Sequence, residues 1–239
     1  MLPPDTHLQI GSLLFEGVDQ IDLTGPFEVL SRLPNATHRI YGKTAETVRD
    51  LKGLRLTPDA TLADAPRLDV LHVPGGYGQE AVMEDDVILD WVRAQALSAR
   101  SVLSVCTGAL ILGAAGLLVG RRATTHWSAF DLLPYFGAIP VNQRVVVDGS
   151  WVLAAGVTAG IDGALTLAAD LRGEDVARTI QLQMAYAPEP PFNSGTPEAA
   201  PPAILSAART AASGISAKRL ATAQRVAARL GVGVAGNSV

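Results

Sequence analysis

The stretch Ser101-Val-Leu-Ser-Val-Cys106-Thr107-Gly108-Ala-Leu110 constrains this chain most. Residues 101–105 are small or apolar and read as a short buried strand. From Thr107 onward, a run of Gly, Ala, Leu and Ile reads as a buried helix closing near Gly120. The only cysteine among 239 residues therefore falls on a strand-to-helix turn. Small residues two before it (Ser104) and two after it (Gly108) let such a turn form, which is the pattern of a nucleophile elbow. Unpaired N–H groups and the positive end of a helix dipole favour a thiolate there, so the pKa of Cys106 is expected to fall. A lone cysteine is otherwise often a small buried hydrophobe. The strand–cysteine–helix context favours the reactive reading.

Hydrophobic residues make up 48% of the chain and charged ones 18%, enough to bury one large α/β domain or two small ones. The net charge of −4 gives no electrostatic footprint for nucleic acid. A single cysteine excludes an intrachain disulfide and a multi-cysteine metal site. The longest apolar runs, 109–119 and 151–171, are too short or too interrupted by Asp162 and Asp170 to span a membrane. The N-terminal segment lacks the charged and apolar regions of a signal peptide, and a cytoplasmic location is expected.

In chain order, 7–15 reads as a first strand. Thr24 is expected to cap a helix with Pro26 in its first turn and Phe27, Leu30 and Leu33 on one face. Asp22 lies just before that helix between apolar Ile21 and Leu23. It is either a cap or a buried carboxylate that needs a reason to be inside. Residues 37–41 read as a strand, 54–57 as an edge piece or hairpin arm and 68–73 as a central strand. The glycines Gly75 and Gly76 that follow can turn backbone N–H groups into a ligand crevice. The 76–81 stretch fits only a loosened dinucleotide motif, and the acids at 80 and 84–86 would repel a phosphate, so an oxyanion role suits Gly75 and Gly76 better. Residues 85–99 read as an amphipathic helix burying Ile88, Trp91, Val92 and Leu97. His126, opening a short helix, is either a base partner for Cys106 or a cap. Residues 144–147 and 151–154 read as a hairpin through Asp148-Gly149. Long helical segments follow over 156–185, then a proline-rich loop (188–195). Two Ala-rich helices (203–212 and 216–230) carry Arg209, Lys218, Arg219, Arg225 and Arg229 on a solvated surface, and the end (231–239) reads as a frayed tail. Alternating strands and helices make a doubly wound, mostly parallel sheet with helices on both faces the expected α/β architecture.

Several stretches together resemble one family. They are 20–26 (Gln-Ile-Asp-Leu-Thr-Gly-Pro), 73–76 (Val-Pro-Gly-Gly), 104–108 (Ser-Val-Cys-Thr-Gly), 113–118, 122–127 (Arg-Ala-Thr-Thr-His-Trp), 159–162 and 186–192. The chain resembles the PfpI-like branch of the class I glutamine-amidotransferase-like superfamily, and within it the hydratases that convert isocyanides into N-formamides. That resemblance implies a flavodoxin-like fold, a homodimer, no cofactor, no metal and a small-molecule isocyanide substrate, with no nucleic-acid or membrane partner. By the same likeness Cys106 is the nucleophile, Asp22 the acid beside it, and Thr107 their polar neighbour, its hydroxyl orienting the carboxyl. Gly75, Gly76, Thr107 and His126 would contact substrate or oxyanion. The peptidases of the superfamily place His directly after the cysteine; Thr107 stands there here. The alternatives are a cysteine-dependent deglycase, glyoxalase or redox-stress protein of the same superfamily, or a ligand-sensing domain related to AraC-like regulators. The expected division is a catalytic domain over 1–197 and a helical extension over 198–239 packed on it or on a dimer partner.

Overall fold

The computed structural model describes residue 3 and residues 5–233. The first half of the chain forms β1 (Leu8–Leu14), α1 (Gln20–Leu30), β2 (Ala36–Gly42), β3 (Val48–Arg49), β4 (Arg55–Leu56), β5 (Ala60–Thr61), β6 (Val70–Val73), α2 (Gln79–Val82), α3 (Asp86–Ser98) and β7 (Ser101–Val105). The second half forms α4 (Gly108–Ala114), β8 (Arg122–Ala123), a 3-10 segment (Trp127–Phe136), β9 (Ile139–Pro140), β10 (Val145–Asp148), β11 (Trp151–Ala154), α5 (Ala159–Arg172), α6 (Glu174–Gln183) and α7 (Pro202–Leu230).

Seven strands pair in the order β10-β11-β7-β6-β1-β2-β5, all parallel except the β10–β11 hairpin. The middle strands β6 and β7 are buried at every residue, as continuous apolar runs covered on both faces must be. Side chains alternate across β7: Val102 joins the core beneath α3 and α4, while Leu103 and Val105 join the core beneath α5. This is the α/β flavodoxin-like architecture expected from the sequence. The chain leaves β1 toward β2 on one side, and β6 lies on the other. The carboxyl ends of β1, β6 and β7 therefore frame a crevice at a topological switch point.

Local differences from the sequence reading have physical causes. Asp19, not Thr24, caps α1, its carboxylate accepting the Ile21 N–H at 3.1 Å; the Thr24 hydroxyl instead bonds back to the Gln20 carbonyl. The helix after Cys106 stops at Ala114 because Gly116 turns left-handed (φ 77°). The Leu117 N–H then reaches back to the Leu112 carbonyl in a Schellman closure. On α3, Leu97 points to solvent and Leu89 replaces it in the core. Gly173 (φ 93°) separates α5 from α6. The two C-terminal helices are one, since Gly214 sits in its interior with open space around it and Ala neighbours carry the helix through. The tail expected over 231–239 lies mostly outside the described residues. No helix among the described residues is long and apolar enough to cross a membrane.

Under α1 the sheet carries a buried polar chain. The Ser12 hydroxyl lies 2.7 Å from His38 Nε2 and 2.8 Å from His72 Nδ1. Pro26, inside α1, removes the N–H that would have bonded the Asp22 carbonyl, and that carbonyl interacts with the His72 ring instead. Burial, reinforced by His38, drives the His72 pKa down from 6.5 to about 3. A histidine with a lowered folded pKa is neutral in the fold but takes up a proton when unfolded. Its contribution is intact above pH 6.5 and lost as pH falls toward 3. Denaturant titrations at pH 7 and pH 4 should show about 3 kcal/mol of acid destabilisation from this residue. His72→Asn should have the flatter pH dependence; a slope equal to that of the parent would exclude His72 as its source.

Candidate active site

Cys106 occupies the turn between β7 and α4 with φ 55°, the left-handed region that a non-glycine residue enters only under strain. Its N–H bonds to the Ala154 carbonyl at 2.9 Å, and its carbonyl accepts the Thr125 hydroxyl at 2.8 Å, so both neighbours hold the turn. Close packing demands Gly108: a Cβ there would stand 2.1 Å from the Val73 carbonyl oxygen.

Asp22 reaches the same point from the first turn of α1 and is wholly buried. Its Oδ2 accepts the Gly75 N–H at 3.1 Å, while Oδ1 is buried without a conventional donor, and the Cys106 thiol stands beside the carboxyl. Gly75 is the close-approach residue of the site. A Cβ there would lie 2.5 Å from Thr107 N, 2.7 Å from Thr107 Oγ1 and 2.9 Å from Asp22 Oδ2. The Thr107 hydroxyl ties down Gly76 by accepting its N–H at 3.1 Å and facing its carbonyl at 3.2 Å. That hydroxyl therefore orients the Gly75–Gly76 loop, and the carboxyl is oriented by Gly75. The two glycine N–H groups are engaged by Asp22 and Thr107 rather than presented to a ligand.

Burial pushes the Asp22 pKa up from 3.8 to about 8, helped by the charge on Asp19 and opposed by the Cys106 thiol and the Gly75 N–H. Burial also pushes the Cys106 thiol up, with Asp22 adding to it; the Thr107 N–H and Arg219 pull the other way and do not overcome it. The expected fall in the thiol pKa is thus reversed. The helix N-terminus contributes the Thr107 N–H as anticipated, but losing water costs the isolated thiolate more. The two groups titrate as a pair, and the first proton is held to near pH 8.

His126 caps the 3-10 segment: Nδ1 accepts the Ser128 N–H at 3.3 Å and lies 2.8 Å from the Ser128 hydroxyl. Burial first, then Arg219, brings its pKa down to about 4, so it is a neutral wall residue at pH 7. Above Cys106 opens a cavity of about 380 Å³, lined by Cys106, Thr107, Gly76 and His126 with Leu51, Tyr77, Trp127, Val157 and three α7 alanines.

Arg219 escapes the sequence reading, where it is one of five solvated cations. It is 2% exposed and also lines the cavity. A signal was available. The buried residues of α7 are Arg219, Thr222, Ala223, Val226 and Ala227, spaced i, i+3, i+4, i+7, i+8, and Arg219 heads that stripe.

A thiol and a carboxyl joined at the carboxyl ends of a parallel sheet define a family. The chain belongs to the DJ-1/PfpI family, whose model matches residues 9–170. Among known proteins it is 53% identical over 223 residues to the isonitrile hydratase of Pseudomonas putida, covering 93% of this chain and 98% of that one. It is 27% identical over 175 residues to the glutathione-independent glyoxalase DJR-1.2 of Caenorhabditis elegans, covering 72% and 92%. The crystal structure of a THiJ/PfpI family protein from Pseudomonas syringae superposes with a TM-score of 0.89 at 40% identity over 91% of each chain.

Proposed function

We propose that this protein hydrates isocyanides (isonitriles) to N-substituted formamides, with Cys106 as nucleophile and Asp22 as general acid and base. The observation that carries the reading is a fully buried carboxyl held beside the only thiol, the thiol itself lining a largely apolar cavity. The near full-length likeness to an isonitrile hydratase supports the same substrate class.

The reactive form is the less populated form of the singly ionised pair, with sulfur carrying the charge and Asp22 the proton. The thiolate attacks the terminal carbon of R–N≡C, and a C–S bond forms. Asp22 gives its proton to that same carbon, leaving the thioimidate Cys–S–CH=N–R and a carboxylate. The carboxylate then takes a proton from water as the hydroxide adds to carbon, and that proton passes to nitrogen. As the C=O bond forms, the hydroxyl proton returns to Asp22 and the C–S bond breaks. R–NH–CHO leaves with the pair restored, so one water is consumed per isocyanide. Gly75 aims the carboxyl through its N–H, and Thr107 fixes the loop that carries Gly75.

The deglycase and glyoxalase reading would use the same cysteine. The apolar wall from Leu51, Trp127, Val157 and α7 suits an isocyanide better than a polar sugar adduct. We take the protein to act as a homodimer in the cytoplasm, where one reduced thiol persists. The test of function is direct. Purified protein mixed with a small aryl or alkyl isocyanide should produce the matching formamide in the proton NMR spectrum. No formamide above the protein-free rate would overturn the proposal.

A further inference from the structure

The C-terminal helix brings a cation into the site. The Arg219 guanidinium donates through Nε to Gln79 Oε1 at 3.0 Å and through Nη2 to the Gly76 carbonyl at 2.9 Å and the Thr107 hydroxyl at 3.4 Å. Its Cζ lies 5.5 Å from the Tyr77 ring centre. All these partners are neutral, and among the described residues Arg219 forms no ion pair, although Arg225 and Arg229 on the same helix do. Arg225 grips Glu84 with two bonds of 2.7 and 2.8 Å. A buried charge is retained at a cost unless something nearby compensates it. Arg219 lines the same cavity as Cys106 and interacts electrostatically with it, and with Tyr77 and Glu80.

We propose that Arg219 is a positioning residue that raises the share of the Cys106–Asp22 pair carrying its negative charge on sulfur and its proton on Asp22, while its fork of hydrogen bonds holds the Gly76–Thr107 contact. The inference rests on the reading of Cys106 as nucleophile, but not on the identity of the substrate. The singly ionised pair has two forms, thiolate with acid or thiol with carboxylate, and only the first can add sulfur and proton to one carbon. Asp22 interacts with Cys106 and Asp19 and accepts the Gly75 N–H; Cys106 interacts with Arg219. A fixed cation lining the cavity with the sulfur therefore makes the thiolate form of the pair less costly than it would be without Arg219. The other titratable groups around them are Asp19 at the start of α1, which raises Asp22, and His126 in the cavity lining, which burial first and Arg219 second keep neutral. The same helix lines the cavity with Ala208, Ala211 and Ala212, so one element supplies both apolar wall and charge.

The experiment measures the thiolate itself, by ultraviolet absorbance and by iodoacetamide alkylation of Cys106 against pH. It uses the full chain and three variants. Arg219→Gln keeps polar donors but removes the charge, and its thiolate titration should move to higher pH, with alkylation at pH 7.5 slower by about tenfold. Arg219→Lys keeps the charge and should titrate close to the parent. Arg225→Gln, two turns along on the surface of the same helix, should change nothing. If Arg219→Gln fails to fold, Arg219→Met fills the buried channel without charge and is read in its place. An unchanged profile in the uncharged variant, even with a lowered melting temperature, would make Arg219 a structural brace and overturn the proposal. A parent protein that alkylates as expected and makes no formamide would instead count against the hydratase reading alone.

Discussion

Asp22→Asn should melt at a higher temperature than the parent above pH 7 and yet make almost no formamide. Burial raises the folded pKa of Asp22 from 3.8 to about 8. An acid with a raised folded pKa keeps its proton in the fold but gives it up on unfolding, so the fold loses stability as pH rises from about 4 to about 8. Below pH 4 both states hold the proton and the penalty vanishes. At pH 7 it amounts to about 4 kcal/mol. Asparagine has nearly the same shape, offers an oxygen to the Gly75 N–H and carries no charge to bury. Even a partial recovery raises Tm by roughly 5–10 °C in a chain of this size. The proton donor is gone, so turnover should fall by about 100- to 10,000-fold. A capping role for Asp22 would give the opposite pair of results, and that role is filled by Asp19. Melting and formamide production measured on one preparation at pH 5 and pH 8 decide the matter. A variant that is less stable at both and still active would contradict the assignment.

Gly75→Ala should cripple the site with a single added methyl. The added carbon meets Thr107 N at 2.5 Å and Thr107 Oγ1 at 2.7 Å on one side and Asp22 Oδ2 at 2.9 Å on the other. The threonine nitrogen is backbone at the start of α4 and cannot swing aside, so the loop or the elbow must move. A shift on the order of 1 Å there is enough to cost about 100-fold in turnover, together with a few kcal/mol of stability. Gly214→Ala supplies the contrast. It sits in the interior of α7 in open space, and alanine should stabilise the helix by about 1 kcal/mol with turnover unchanged. Equal behaviour of the two variants would mean that the fit at Gly75 is not what aligns the acid.

The sheet and the elbow were legible because their signals are local and redundant. Residues 70–73 and 101–105 are apolar runs ending at glycine-bearing turns, and the Asp148-Gly149 pair marks its hairpin with Gly149 at φ 63°. Cys106 and Asp22 stood out as an isolated thiol at a turn and an acid between apolar neighbours. Less legible was who bonds to whom. Thr107 was expected to hold the carboxyl, but the loop geometry gives its hydroxyl to Gly76. The thiol was expected to acidify because the dipole is visible in a sequence and the depth of burial is not. Arg219 lies 112 residues beyond Thr107 in the chain, on a helix whose other cations do face water. Only its phase with Thr222, Ala223 and Val226 distinguishes it.

The central claim is that the thiol of Cys106 becomes bonded to the isocyanide carbon. Parent and Cys106→Ala should be compared side by side, at equal concentration and pH 8, for formamide release and for intact mass during turnover. The parent should make formamide and carry a transient adduct equal to the mass of one isocyanide, placed on Cys106 by peptide mapping. Cys106→Ala should fold, carry no adduct and show only the protein-free rate. Formamide made at a comparable rate by Cys106→Ala would contradict the account.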